Sequence, residues 1–364
     1  MDLAAHEGLG AVTVRNLTRL AGVSTGSFYA RFSGTDECLL AAYNEVLAGV
    51  TRRVAATRSA ELDLTEQIEV TLRVLIDHLA ADPVVARFVL IEIYGGGPAA
   101  LAAISAAEKR LEAGICGCLD RRASRVPKKM SAAILAASLH CARVRLIGSS
   151  TSEARANRDA LIEWARDVVD GREDYAATAP DLRTADFGEP PWPVDDGTTS
   201  DHDERNMILA AVLRLAAPDG FFGLTAGKVS SAAGVPTSRL RRHFPDVADG
   251  YLAAIRRTCR SFFIELTDGA DRDAPPRVSV RSALRRASHR AALEPAAARL
   301  TFQGIVEPGV AGLTCRDALI SELAAACTGG PAACGPSVQV RAEARAAAFW
   351  ADLAMTGAMS TGRN

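Results

Sequence analysis

Aromatic residues make up only 5% of the 364 positions, and net charge is almost absent, with 42 lysines and arginines against 43 aspartates and glutamates. The first lack means that aliphatic side chains must fill the core, and an alanine-rich 48% hydrophobic content supplies enough of them for two or more helical domains. The second removes any argument for nucleic acid from overall charge, so such an argument must rest on where the charges lie. No basic segment followed by an apolar run opens the chain, and no apolar stretch of about 18 residues is evident, so the expectation is a cytoplasmic protein with no membrane contact. The eight cysteines are scattered, and only Cys116 and Cys118 are close, with no histidine beside them to complete a zinc set. They read as reduced core thiols, and neither a metal nor a cofactor is expected. Also missing are a glycine-rich phosphate loop after a strand, a metal-spaced His/Cys/Asp set and any segment alternating like a half-buried strand; Gly95-Gly96-Gly97 before Pro98 is a helix break. The fold class is therefore all-α, and an enzyme is not expected.

What is present is a stretch from Thr13 to Phe32, T-V-R-N-L-T-R-L-A-G-V-S-T-G-S-F-Y-A-R-F, that reads as a helix-turn-helix. Thr13 is a good N-cap, and Val14, Leu17 and Ala21 recur at spacings of three and four, laying an apolar stripe along a short helix. Gly22 ends that helix, and Ser24 caps a second one whose Phe28 and Phe32, four apart, should face inward. Thr25, Ser27, Tyr29 and Arg31 are left on its outer side. Between Glu7 and Asp36 the only charges are Arg15, Arg19 and Arg31.

The run A-G-V-S-T-G-S-F-Y-A-R-F followed by D-E-C-L-L-A-A-Y resembles the DNA-binding head of TetR-like bacterial repressors over roughly the first fifty positions. That resemblance implies that the helix beginning at Ser24 enters the major groove. Thr25 and Ser27 would then meet base edges, Gly26 would let the main chain approach closely, and Thr13, Arg15, Ser24, Tyr29 and Arg31 would complete the DNA-binding set. Such heads usually carry a lysine just after the motif. Here Thr35 stands in its place. Met1 to Gly8 reads as the end of a helix, which the resemblance makes the tail of a longer first helix, with Met1 internal to a longer natural chain; a genuinely short first helix is the alternative.

Further along, helices are expected over Thr35 to Arg58, Thr65 to Ala81, Pro83 to Ile93, Pro98 to Arg121, Lys128 to Gly148 and Ala154 to Val169. Residues 176–203, rich in proline, aspartate and threonine, read as a linker. After it the pattern returns at a constant separation of 212: Gly8 and Gly220, Thr13 and Thr225, Ala21-Gly22-Val23 and Ala233-Gly234-Val235, Thr25 and Thr237, Phe32 and Phe244. Pro83, Arg87, Ile93 and Leu101 continue the register onto Pro295, Arg299, Ile305 and Leu313, whereas Trp164 meets Trp350 only after a shortening. Two tandem TetR-like units follow: head 1 at 1–50, body 1 at 51–175, the linker at 176–203, a divergent head 2 at 204–258 and body 2 at 259–364.

Head 2 keeps a full first helix, Arg205 to Ala217, but replaces Phe28-Tyr29 by Leu240-Arg241 and the missing lysine by Val247. Its DNA-binding set would be Lys228, Thr237, Ser238, Arg239, Arg241, Arg242 and His243, a basic group suited to phosphates more than to sequence reading. The resemblance also implies a small-molecule effector pocket in each body, with His78, Arg87, Glu92 and Tyr94 as polar candidates in the first, and Arg299 and Gln303 in the second. The expected partners are a double-stranded DNA operator and an effector of unspecified chemistry. Pairing of heads would come from an intramolecular pseudo-dimer, using Lys128 to Val169 and Leu313 to Met355, or from a homodimer. The resemblance implies a ligand-released repressor; the alternative is a ligand-sensing or protein-interaction helical module with degenerate heads.

Overall fold

Every regular element among the described residues is a helix, as the lack of strand-like alternation requires. The computed structural model describes residues 1–57, 59, 61–119, 128–147, 149–172, 199–268, 289–291, 293–328 and 336–361. Most of the expected linker lies outside them. Two units are formed, one by Met1–Tyr175 with Ala332–Ala348, the other by Ala176–Pro331 with Phe349–Asn364.

In the first unit α1 (Asp2–Glu7), α2 (Val14–Ala21) and α3 (Thr25–Tyr29) build a small head, and α4 (Thr35–Ala56) runs from it into the body. There α5 (Leu64–Ala81) starts on a capping box between Asp63 and Glu66, which satisfies two otherwise orphaned amides, and α6 (Pro83–Leu90) starts on Asp82 with Pro83 in its first turn. After a 3-10 turn at Glu92–Gly96 come α7 (Gly97–Leu119), α8 (Lys128–Cys141), which runs into a π turn at Ala142–Leu146, and α9 (Thr151–Val169). Helix α5 packs along α9, α7 along α8, and α1 against α6, so the head is seated directly on the body. Leu72, Ile76, Phe88, Ile93, Ile134 and Trp164 are fully enclosed between these helices.

Two expectations need correction here. An 18-residue apolar window does exist, within Pro83–Ile115, where mean hydropathy reaches 1.5. It is not one helix, because the 3-10 turn and Gly97, at φ 73°, break it into α6 and α7, and Phe88, Leu90, Ile93 and Ile104 are buried in the core. The second helix of the head is also shorter than its sequence implied: it stops at Tyr29, so Phe32 lies beyond it and is only half-buried, while Ala21 of the expected stripe is exposed and Thr18 is the enclosed residue of α2.

The second unit begins with α10 (Thr199–Asp219), which starts inside the stretch expected to be linker, whose polarity read as unstructured chain. After a 3-10 turn at Phe221–Gly223 come α11 (Ala226–Ala233), α12 (Thr237–His243), α13 (Val247–Asp268), α14 (Pro295–Phe302) and, past another 3-10 turn, α15 (Val310–Thr328). Helix α16 (Pro336–Thr361) is divided between the units at Ala348, so residues 332–348, expected in the second body, are grouped with the first. Side-chain chemistry accounts for this: Arg341 pairs with Asp167 (2.6 Å) and Glu163 (3.5 Å), and Arg145 pairs with the buried Glu343, all within the first unit. Further along α16, Trp350 stacks edge-on against Phe302 at 5.1 Å and donates its ring N–H to the Phe302 carbonyl, within the second.

Backbone geometry repeats at the sequence spacing. Gly8 and Gly220 (φ 78° and 70°), Gly22 and Gly234 (65° and 68°), and Gly97 and Gly309 (73° and 76°) form three pairs of positive-φ glycines, each 212 residues apart.

Candidate nucleic-acid interface

The first head is held together by local hydrogen bonds that its sequence specifies. The Thr13 hydroxyl accepts from the Asn16 amide (3.2 Å), and the Asn16 side chain donates to the Ala11 carbonyl (2.9 Å), tying α2 to the turn before it. At the other end Gly22 adopts the left-handed conformation (φ 65°, ψ 27°), which a residue with a Cβ adopts only at a cost. Two residues on, the Ser24 hydroxyl accepts from the Ser27 amide (3.0 Å) and lies 2.9 Å from the Ser27 hydroxyl, so α3 starts on a made cap. Phe28 is buried and meets Tyr29 and Phe32 with ring centroids 5.5 Å apart in each case. With Phe28 as the anchor, the five-residue helix turns its other residues outward.

Thr25, Gly26, Ser27, Tyr29 and Arg31 are all exposed, Tyr29 at 57%. So are Thr13, Ser24, Arg15 and Arg19. None of the side chains of Arg15, Arg19 and Arg31 enters an ion pair among the described residues, so their charges are uncompensated locally. Glu37, just beyond, is occupied: its carboxylate accepts from both the amide and the hydroxyl of Ser33 (2.7 Å each), which holds it below the usual carboxylate range. The arrangement is a short polar helix with hydroxyls, an open main chain and free guanidinium groups on one side, able to accept and donate at base edges and to neutralise phosphates.

The second head is built on the same plan with different chemistry. Thr225 caps α11 by accepting from the Lys228 amide (3.3 Å), and Gly234 repeats the left-handed turn. Pro236 replaces the cap serine and offers no side-chain oxygen, so α12 starts uncapped, with Leu240 as its buried anchor. Of the expected basic set, Arg241 and Arg242 are exposed and in no ion pair among the described residues. Arg239 is not: it pairs with Glu204 at 2.8 Å. His243 also differs from expectation, because its side chain is only 6% exposed and turns inward, 3.5 Å from the same carboxylate. Lys228 donates to the Gly223 carbonyl (2.8 Å), Thr237 donates to Ser230 (3.2 Å), and Ser238 is exposed. Glu204 was not legible as part of this site, since it sits on α10, far from α12 in sequence.

The candidate pocket residues divide. In the first body Arg87 and the buried Glu92 form an ion pair at 2.9 Å, Tyr94 is buried and His78 is partly exposed on α5. In the second, Arg299 donates to the Ala217 carbonyl (2.6 Å) in the last turn of α10, and Gln303 donates to the Ala354 carbonyl (2.7 Å). Both therefore satisfy helix carbonyls. A cavity of about 10 Å³ lies among Ile68, Thr71, Leu72, Ile115 and Ile134, at the threshold for one water molecule, and none of the six candidates lines it. Beside Arg299, Glu307 accepts from the Phe221 amide, and its burial pushes its carboxyl above the ordinary range.

Cys141, Cys259 and Cys315 are buried thiols in no disulfide, Cys38 is a half-buried one, and the side chains of Cys116 and Cys118 lie outside the described residues. No group of three potential metal ligands occurs among the described residues.

Against known proteins, no curated sequence matches the chain. Residues 1–42, from α1 through α3 into α4, match the family described as bacterial regulatory proteins, tetR family, so the likeness covers the first head and the start of α4.

Proposed function

We propose that the protein is a sequence-specific repressor in which head 1 reads the operator and a small molecule bound in a helical body releases it. The observation that carries this reading is the face of α3 and α2: exposed Thr25, Ser27 and Tyr29 with three locally uncompensated arginines, on residues that match a DNA-binding family. Thr25 and Ser27 contact base edges; Tyr29, Arg15 and Arg31 hold phosphates; Thr13 and Ser24 bring their helix starts to the backbone. Since one helix-turn-helix covers only a few base pairs, the second, tandem head supplies the partner, roughly 34 Å away for adjacent turns of the duplex. Its contribution comes from Arg241, Arg242 and Lys228 and is electrostatic. Three glycine pairs of matching φ at the 212-residue spacing support the tandem reading, in which Lys128 to Val169 and Leu313 to Met355 would pair as an intramolecular pseudo-dimer. Effector binding would act through the α1–α6 contact, a coupling of about 1–3 kcal/mol between body and head.

The alternative, a sensing or protein-interaction module, is favoured by one observation, the engagement of Arg239 and His243 by Glu204, and it applies to the second head alone. The deciding experiment is a mobility shift with the DNA upstream of the protein's own gene at two salt concentrations. Specific binding that weakens with salt is expected; no discrimination between that DNA and a random duplex at either concentration overturns the reading. A monomer in dilute solution is expected of the pseudo-dimer, and a stable dimer there rules it out.

A further inference from the structure

Arg239 and His243 stand four apart on α12, so they share one face of a seven-residue helix. A single carboxylate from α10 serves both. Glu204 puts one oxygen 2.8 Å from the Arg239 guanidinium and the other 3.5 Å from Nε2 of His243, and its own side chain is mostly enclosed. The two partners differ in their surroundings. Arg239 is exposed on the helix that also carries the exposed Arg241 and Arg242, whereas the imidazole is buried. In the 212-residue register the same two positions of head 1 are Ser27 and Arg31, both exposed, with Arg31 in no ion pair among the described residues.

A carboxylate oxygen 2.8 Å from a guanidinium makes the contact that a phosphate oxygen of a duplex makes. We infer that Glu204 is an internal stand-in for a DNA phosphate, a brake that holds Arg239 away from the duplex, and that a proton on His243 releases it. The inference rests on the reading of α12 as a helix that faces DNA. With a neutral imidazole, the full charge of Glu204 serves Arg239. As the pH falls through the range in which histidines titrate, the imidazolium takes a share of that one carboxylate, and the face gains a positive charge for phosphates. The other charged groups around His243 leave this sign unchanged. Arg205, next to Glu204 on α10, lies over the Phe244 ring at 5.1 Å; Arg257 of α13 donates to the Asn206 side chain at 2.6 Å; and Lys228 of α11 donates to the Gly223 carbonyl at 2.8 Å. Lysines and arginines keep their charge across that range.

The test compares the full chain with its Glu204→Gln variant for binding to a random duplex, by fluorescence anisotropy at salt concentrations from about 50 to about 200 mM. Glutamine keeps the size and an acceptor oxygen but not the charge. The expected result is tighter binding by the variant, with a salt slope steeper by about 0.9, so that it loses roughly 3.5-fold more affinity over that range than the unaltered chain. A variant that only disturbed packing would bind more weakly, so the direction separates a brake from a structural prop. Adding Arg239→Ala should abolish the gain. In the unaltered chain, affinity at low salt should rise roughly threefold from about pH 8 to about pH 5.5. His243→Gln, whose amide can still donate to Glu204, should lose most of that rise with the other histidines in place. Equal or weaker binding by a Glu204→Gln chain that keeps its Tm overturns the inference and leaves DNA binding standing; so does a pH response that survives His243→Gln. If Glu204→Gln lowers the Tm, the pH series decides, because it leaves Glu204 intact. Failure of every chain to bind duplex at the lowest salt sinks the DNA-facing reading of α12, and the inference with it.

Discussion

Salt dependence of DNA binding gives the sharpest test of which head grips the duplex. Arg15 and Arg31 are exposed and free of ion pairs among the described residues, so replacing both by alanine removes two charges without breaking an intramolecular contact. Fold stability should change by no more than about 0.5 kcal/mol, the ordinary range for surface positions. Each phosphate neutralised contributes about 0.9 to the slope of log K against log salt concentration, so the double variant should lose about 1.8 from that slope. Between about 50 and 200 mM salt, the unaltered protein should then lose roughly 12-fold more affinity than the variant does. Fluorescence anisotropy with a labelled duplex, titrated at four or more salt concentrations, reads this directly. The term is independent of sequence, so a random duplex should report the same difference. The companion pair Arg241→Ala and Arg242→Ala measures head 2, and Arg239→Ala should matter less because Glu204 already occupies that guanidinium. An unchanged slope in the Arg15/Arg31 variant, with a reduced one in the Arg241/Arg242 variant, would show that head 1 is not the reader.

Three further outcomes are expected. Ser24→Ala removes the cap of α3 and should cost about 1 kcal/mol, seen as a lower melting temperature, with no comparable loss for Pro236→Ala because α12 has no side-chain cap to lose. Gly8→Ala and Gly220→Ala meet a similar positive φ, but a Cβ at Gly8 meets open space whereas one at Gly220 would run into the Glu307 carboxylate, which is held by the Phe221 amide; chemical denaturation should find the second clearly more destabilising, and equal losses would contradict the described packing. Glu307 has a carboxyl raised by burial, so the folded state holds its proton more tightly than the unfolded chain, and stability should increase as the pH falls through the raised value towards the ordinary 4.5. In Glu307→Gln, whose amide oxygen can still accept from the Phe221 amide, that increase should disappear from urea midpoints measured across the acidic range, and an unaltered pH profile would refute the assignment.

Much of the site was legible because its determinants are local. Caps act within three residues and a left-handed glycine within one, so Thr13, Gly22 and Ser24 could be assigned from spacing alone and Thr225 and Gly234 followed by register, and each stands as a helix cap in the structure. The inward turn of Phe28 and the outward turn of Tyr29 follow from helical period in the same way. What failed were inferences that needed a partner from elsewhere. Ala21 fits an apolar stripe by period, yet it is exposed; Ala233, at the same position in head 2, is buried where α10 packs along α11. His243 looked like one more cation in a basic cluster until Glu204, 39 residues away, turned it inward.

By itself the sequence determined an all-helical chain, the helix-turn-helix at Thr13–Phe32 and the 212-residue correspondence, since propensity, capping and periodicity are written in neighbouring residues. Only the tertiary structure decided which of those residues remain available. Burial and ion pairing depend on surfaces brought together from distant parts of the chain: Arg31 is left free while Arg239 is taken by Glu204, Arg299 and Gln303 are spent on helix carbonyls, and residues 332–348 join the first unit through Arg341 and Glu343.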